Sequence, residues 1–401
     1  MTMNQAKATA DITEQTVREM TEQLLADMAD ADDTAFFGAQ FDRGLSRVDF
    51  PAGHGGLRVS PKLQKVVDDT LEAAGRRGRW RRNPMGIGMC GPTIVARGTE
   101  EQMTRFLRPI FTADELWCQL FSEPGAGSDV AGLATRADRD GDEWLINGQK
   151  VWTSLAHRAD WGLLLARTDP NAPKHRGLTA FIIDMHQPGV EVRPLRQMSG
   201  GAGFNEVFFS NARVPDHLRI GEPGDGWRVA NATLMNERVS IGGDVSPRGS
   251  GPIAGALAVW QRRTDKDPVL RDRLAKLWIE TEVLRLGNIR AQALRAEGVP
   301  GPEGSVLKLG SALLSQKIAS FTVDLLGPAG MLCSGYPTPQ SAESGAELAD
   351  DPVLAFLGAQ SSTIAGGTSE VMRNILGDRV LGLPREPGID PNTPWNQIPR
   401  S

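Results

Sequence analysis

Residues 140–166, DGDEWLINGQKVWTSLAHRADWGLLLA, change the rhythm of the chain. Trp144-Leu145-Ile146 stands between Asp140-Gly141 and Asn147-Gly148, two dipeptides that favour tight turns, so a short strand bounded by turns is predicted here. Further β-rich runs follow at close spacing, at 161–166, 178–183, 190–192 and 207–209. Few helical patterns interrupt them. That predicts a small antiparallel barrel or sandwich in the middle of the chain rather than βαβ units.

On either side the period is helical. Upstream, over about 12–115, apolar residues recur three and four apart, as in Val17, Met20 and Leu24, then Leu63, Val66, Val67 and Leu71. Gly/Pro clusters at 51–56 and 83–88 punctuate these helices. Thr99 before Glu100, Glu101 and Gln102 reads as an N-cap for a helix reaching about Phe111. Downstream of Gly226, the runs 270–285 and 307–326 are long enough to pair in an antiparallel bundle. Residues 300–304 and 335–345 read as connections, a last helix runs from about Ser369 into Asp378, and 384–401 is proline-rich and reads as extended. The expected organisation is α+β: an N-terminal helical domain (1–116), a middle antiparallel β-barrel or sandwich domain (117–225), a C-terminal helical bundle (226–385) and a tail (386–401).

Composition narrows the function. The 401 residues, 40% hydrophobic and 23% charged, are enough for about two or three globular domains of about 150 residues each. A net charge of -5 argues against nucleic acid or an anionic membrane as the main partner, so RRGRWRR at 76–82 reads as a solvated helix end. The 3 cysteines, Cys90, Cys118 and Cys333, are far apart, which excludes a disulfide framework and fits a reducing cytosol. His54, His157, His175, His186 and His217 are scattered, so no metal site is expected. The opening MTMNQAKATADITEQ has no basic region followed by an apolar run, and no stretch approaches the length of a membrane span. A cytoplasmic protein is expected.

The segment richest in chemistry is CQLFSEPGAGSD at 118–129. Its glycines let a backbone approach a ligand closely, Ser122 and Ser128 add hydroxyls, and successive amides in such a turn can cradle a phosphate or a ring carbonyl. It is not a dinucleotide fingerprint, because no GxGxxG opens a helix after a strand, and it lacks the GxxxxGK[ST] spacing of a P-loop.

EPGAGSD (123–129), INGQKVWTS (146–154) and TIAGGTSEVMRNILGDRVLGLPR (363–385), with GTEEQ (98–102) and NEVFFSNARVP (205–215) in the same order, resemble the acyl-CoA dehydrogenase family over about 15–385. The resemblance implies the same three-part α+β fold, with a C-terminal four-helix bundle and FAD between the β-domain and the bundle. The acyl chain of a CoA thioester would lie against the flavin ring. Position by position, it implies that Gln119, Phe121 and Ser122 line the flavin and that Ser128 sits near the pyrophosphate and the pantetheine. Trp152, Thr153 and Ser154 would flank the ring. Gly367, Thr368, Ser369 and Glu370 would contact FAD where the last helix begins, a helix N-terminus being a place where free amides meet ligand oxygens. Ser128, Asn236, Arg238 and Gly366 fall on the substrate side. The implied partners are an electron-transfer flavoprotein and further copies of the chain in a homodimer or homotetramer.

Dehydrogenation needs a carboxylate to take the α-proton, with hydrogen bonds to the thioester carbonyl stabilising the developing enolate, while the β-hydrogen leaves as hydride to flavin N5. The family's commonest base lies two residues before the Thr of the GGT-like motif, which is Gly366 here. LMNERVSIGG at 234–243 instead resembles the isovaleryl-CoA and long-chain types, and that resemblance makes Glu237 the base, with Arg238 beside it to keep the carboxylate ionised. Glu370 is the weaker candidate. The displaced base hints at a branched, long or bulky acyl group.

Two segments depart from the family pattern. QRRTDKDPVLRDRLAKLW at 261–278 replaces the RKTFG-like motif, leaving Arg262 and Arg263 as the nearest substitutes, and DLLGPAG at 324–330 replaces the QxxGGxG-like one. These departures keep open a subunit of a heteromeric dehydrogenase with a shared FAD site. A flavin-dependent monooxygenase on the same fold is a further alternative, against which the intact EPGAGSD and Glu237 stand.

Overall fold

The computed structural model describes residues 12–76, 82–241, 245–296, 301–333, 351–384 and 387–399. Helices α1 (Glu14–Asp27), α2 (Asp33–Asp42) and α3 (Gln64–Ala73) close around Val17, Leu24, Phe36, Leu45, Val48 and Val67. Thr13 caps α1 and Asp32 caps α2, each side chain accepting an N–H three residues on. A π-turn, Gly86–Cys90, leads into α4 (Gly91–Arg97). α5 (Glu100–Thr112) begins with the capping box read from the sequence, Thr99 and Gln102 each satisfying the other's backbone N–H. Its inner face, Phe106, Leu107, Ile110 and Phe111, packs in one core with Trp117 and Leu163 of the sheet.

Eight strands follow: β1 (Trp117–Leu120), β2 (Arg136–Asp140), β3 (Glu143–Ser154), β4 (Trp161–Arg167), β5 (Leu178–Asp184), β6 (Val190–Leu195), β7 (Phe204–Pro215) and β8 (Arg219–Ile220). Their order is β6-β7-β3-β2-β4-β5-β8, with β1 also on β4. The sheet is open rather than closed into a barrel. It is largely antiparallel, but β1 and β2 both meet β4 in parallel.

Asn147-Gly148 is not the turn that the dipeptide suggested. It lies inside β3, which pairs with β2 on one side and β7 on the other, at a bulge between Ile146 and Asn147. The Asn147 amide bridges to Asn211 of β7, accepting its backbone N–H at 2.9 Å and donating to its side-chain oxygen at 3.0 Å. Glycine is required at 148 by close approach, since a Cβ there would stand 2.5 Å from Thr135 Oγ1 and 2.7 Å from Thr135 Cα.

The helical region resumes with α6 (Gly226–Ile241), which roots on the earlier parts of the chain. Val229 and Ala230 enter the core shared by α5 and the sheet, and the Thr233 hydroxyl meets that of Thr93 on α4 at 3.0 Å. Beyond it, α7 (Pro252–Arg262), α8 (Pro268–Ala296), α10 (Pro352–Ala359) and α11 (Ser369–Arg379) all pack against α9 (Glu303–Leu326). Ile253, Ala256, Leu274, Leu314, Ile318 and Phe321 form the core that α7, α8 and α9 share. The connection expected at 335–345 lies outside the described residues. The tail is not simply extended: it carries a 3₁₀ turn, Trp395–Gln397, that packs against the β-region.

Gly148→Ala should therefore destabilise the chain by about 1–3 kcal/mol, because Thr135 Cα is backbone and cannot yield to the new methyl. Chemical denaturation checks this, and an unchanged midpoint would mean that β3 can shift its register.

Candidate functional site

Leaving β1, the chain buries Phe121 and then turns back on itself, Glu123 and Ala126 exchanging backbone hydrogen bonds at 3.0 Å. The turn leaves Gly125, Gly127 and Ser128 exposed. No atom lies within 4 Å of where a Cβ of Gly125 or Gly127 would be, so both backbones face open space that a ligand can approach. The loop is pinned to β3 by the bond from Val151 N–H to the Ser122 carbonyl at 2.9 Å.

Beneath this loop lies an ion pair that the sequence reading did not single out. Lys150, with 0% exposure, donates to Glu123 Oε1 at 2.8 Å and to the Phe121 carbonyl at 3.0 Å. Glu123, 8% exposed, also accepts the backbone N–H groups of Ala134 at 2.6 Å and Thr135 at 2.9 Å. Burial pushes the Glu123 carboxyl up, but the Lys150 ammonium and the hydrogen bonds outweigh it, so it titrates below the usual carboxylate value. Burial dominates for Lys150 and brings it down to about 8, against the pull of Glu123. One signal was available: with Trp144 and Ile146 facing inward, Lys150 is a lysine on the inward face of β3.

The far end of β3 is strained. A second bulge separates Lys150 from Thr153, and Trp152 between them has φ 59°, a left-handed conformation costly for a bulky residue. The result is an indole 60% exposed, with Phe204 edge-on at 6.0 Å. Thr153 is buried. Its carbonyl accepts from the Asn205 amide at 3.0 Å, but its hydroxyl has no partner among the described residues. Ser154, which ends β3, and Gln119 on β1 are half-buried.

The third segment stands on the helical region. Gly366 (φ 67°) and Gly367 (φ 95°) adopt left-handed backbone and deliver the chain to Thr368, whose hydroxyl caps α11 by accepting Val371 N–H at 3.1 Å. Ser369, in the first turn, is buried, and its Oγ also lacks a partner among the described residues. Glu370 is exposed and paired with Arg373 at 3.2 Å, a surface arrangement. Glu237 and Arg238 fall in the closing turns of α6, one turn beyond Thr233, and their side chains lie outside the described residues. Asn236 is half-buried just before them.

Of the proposed substitute arginines, Arg263 is committed to the Leu325 carbonyl at the end of α9, while Arg262 is exposed on the last turn of α7. The thiols of Cys90 and Cys118 are buried, and burial pushes both up, so neither is a thiolate nucleophile near neutral pH.

The chain's residues fit a bound flavin nucleotide. Thr153 and Ser369 account for two of the three buried side-chain atoms without a partner among the described residues, and both occupy positions where the resemblance puts FAD. The open Gly125–Gly127 backbones, the exposed indole and the N-terminus of α11 complete a donor set suited to a ring and a phosphate.

Comparison with known proteins agrees. The family description "Acyl-CoA dehydrogenase, middle domain" matches residues 118–212, and "Acyl-CoA dehydrogenase, C-terminal domain" matches 224–381. Acyl-CoA dehydrogenase IpdE1 of Mycobacterium tuberculosis is 40% identical over 349 residues, covering 86% of each chain. FadE34 of the same organism is also 40% identical over 346 residues, but this chain spans only 45% of that longer relative. Among solved structures, the ChsE4-ChsE5 complex from Mycobacterium tuberculosis is similar with TM-score 0.68 and 29% identity, over 93% of this chain and 97% of that one. The Tcur3481-Tcur3483 steroid ACAD is similar with TM-score 0.71 and 26% identity, over 93% and 98%.

Lys150→Met should cost about 3–5 kcal/mol in urea unfolding, because Glu123 stays buried without its cation, and the double change with Glu123→Gln should recover most of that. The folded Lys150 value of about 8 lies below the ordinary 10.5, so the unfolded chain binds the extra proton between them. From this group stability rises with pH across that window, a slope that the double variant should lack.

Proposed function

The chain belongs to the acyl-CoA dehydrogenase family of FAD-dependent oxidoreductases, and from that premise we propose that it dehydrogenates a bulky CoA thioester between Cα and Cβ, with Glu237 as the base. The observation that carries the reading is the pair of buried, unpartnered hydroxyls of Thr153 and Ser369 at the positions expected to meet FAD. When bound, FAD supplies the acceptor for the β-hydrogen.

The chain's own residues supply the rest. Amides of the 123–129 loop and the Ser128 hydroxyl would hold phosphate and pantetheine oxygens, and Gln119, Phe121 and Ser122 would line the flavin. Trp152, Thr153 and Ser154, at the end of β3, would flank the ring, and 367–370, where α11 begins, would contact FAD. An α-proton beside a thioester is weakly acidic, so a base succeeds only where hydrogen bonds to the carbonyl stabilise the enolate as it forms.

Two facts support Glu237 over its rivals. Gly366 has no side chain to ionise, and Glu370 faces solvent on Arg373. Position 237 follows the stretch of α6 that Val229, Ala230 and Thr233 bury, so its backbone is carried by a rooted helix. Asn236, Arg238 and Gly366 are placed on the substrate side. A bulky acyl group is supported by the displaced base and by the similar structure titled a steroid ACAD. An electron-transfer flavoprotein is the partner that the family resemblance implies for the reduced cofactor. No helix among the described residues is long and apolar enough to cross a membrane.

A second reading concerns assembly. Ile279, Val283 and Leu286 form an exposed apolar stripe along α8, Arg263 is occupied within the chain, and a similar structure is a two-component complex. These favour pairing of the helical region with another chain, either a copy of this one or a different subunit that shares the FAD site. Light scattering with a flavin-to-protein ratio on the chain expressed alone separates the two.

Glu237→Gln should keep FAD absorbance and lower dehydrogenation by about 10²–10⁴-fold, the range for a general base. A variant that retains turnover within tenfold of the parent would remove Glu237 from the reaction.

A further inference from the structure

The segment 387–399 returns to the β-region and docks beside the loop that follows Ser128. Trp395, 9% exposed, donates its indole N–H to the Gly132 carbonyl at 3.1 Å. Two backbone bonds fasten it, Trp395 N–H to Ala172 O at 2.9 Å and Asn396 N–H to Pro170 O at 3.0 Å, and Pro394 bridges to Pro173.

The ring covers a buried cation. The Arg167 guanidinium stands 4.2 Å from the Trp395 centroid, and Arg167 is 3% exposed. Arg167 donates to the carbonyls of Ala131 at 2.6 Å, Leu133 at 3.1 Å and Lys174 at 3.2 Å. Lys174 in turn pairs with Asp129 at 2.7 Å. The carbonyls of Ala131 and Leu133 are thus held by Arg167, that of Gly132 by the indole N–H, and the Asp129 carboxylate by Lys174. A guanidinium out of water is stable only while its donors and its aromatic face are satisfied, so the loop's shape and the docking of Trp395 are coupled.

We infer that Trp395 is a positioning residue for the Ser128 end of the cradle, holding 129–133 through Arg167, so that the 387–399 segment completes the part of the site that receives the phosphate and pantetheine end of a CoA thioester. The inference rests on the reading of Ser128 given above. It assigns the segment a job that neither strand pairing nor the core requires.

The test compares Trp395→Leu and Trp395→Phe in the full FAD-loaded chain, by hydrogen exchange, by titration with free CoA and by kinetics. Trp395→Leu should speed amide exchange at 130–133 at least tenfold, leaving β3 and β7 unchanged, and weaken CoA at least fivefold. KM for the thioester should rise by a similar factor, with kcat within twofold and the flavin spectrum unaltered. Trp395→Phe, which keeps the ring over Arg167 but lacks the N–H, should fall between parent and Trp395→Leu. Unchanged exchange at 130–133, or unchanged CoA affinity, overturns the inference. So does a loss spread evenly over the sheet with kcat falling as KM holds, since that marks a packing residue alone. Exchange and CoA binding need no turnover, so failure of the Glu237 assignment is read separately from failure here. If Trp395→Leu does not fold, exchange at 130–133 in Trp395→Phe decides, no change overturning the inference.

Discussion

Everything built on the 121–129 loop depends on the buried contact between Lys150 and Glu123. Removing an ammonium and a carboxylate from water costs several kcal/mol per ion, and their attraction offsets that only if the remaining hydrogen-bonding capacity is filled. Here it is filled by backbone. Lys150 reaches the Phe121 carbonyl, and Glu123 takes two N–H groups from 134 and 135. The pair therefore joins three stretches of chain, namely the end of β1, the approach to β2 and the middle of β3, adding to the single backbone bond from Val151 N–H to Ser122 O. Hydrophobic side chains could fill the same volume, but they would not fix which carbonyls and amides face outward. A loop that presents backbone to a ligand needs that control.

The same strand bears the strain that the pair makes tolerable. β3 is held by β7 along its length and by β2 over Glu143–Asn147, and its register with β7 shifts twice, the extra residue lying on β7 at Asn211 before Lys150 and on β3 after it. Without the second shift, period-two alternation would carry Thr153 to the face opposite Lys150. The second bulge puts Trp152 at positive φ with its indole outward and leaves Thr153 pointing inward with its hydroxyl unsatisfied. An exposed tryptophan beside a buried orphan hydroxyl is unfavourable in an isolated chain and sensible where a flat, polar-edged group lies against both.

Much of this was legible in the residues, and the failures have physical causes. The strand runs, the capping box at Thr99 and the start of the last helix at Ser369 were readable because local rules decide them: alternation, a hydroxyl before acidic residues, glycines before a helix start. Asn147-Gly148 was misread because a dipeptide that favours a hairpin also fits an extended strand where a glycine must pass close to Thr135, and only the neighbours β2 and β7 choose between them. Lys150 escaped notice because a lysine inside a strand is anomalous only once the inward face is known. The tail looked extended because its prolines forbid helix, but Trp395 meets Gly132 across 263 residues of chain, a distance no local pattern spans.

The arrangement also explains why glycine at 366 is tolerable. The commonest base position in the family belongs to the segment before α11, which here is given over to backbone geometry: two left-handed glycines that turn the chain into a capped helix. A carboxylate at 366 would have to accept positive φ at the residue that must also aim it. α6 is free of that demand. Its first turns are locked into the core by Val229, Ala230 and the Thr233–Thr93 hydroxyl contact, the same core into which Phe121 and Ala126 of the loop are packed. The proposed base, Glu237, is carried one turn beyond Thr233, on a helix whose earlier turns share that core with the loop.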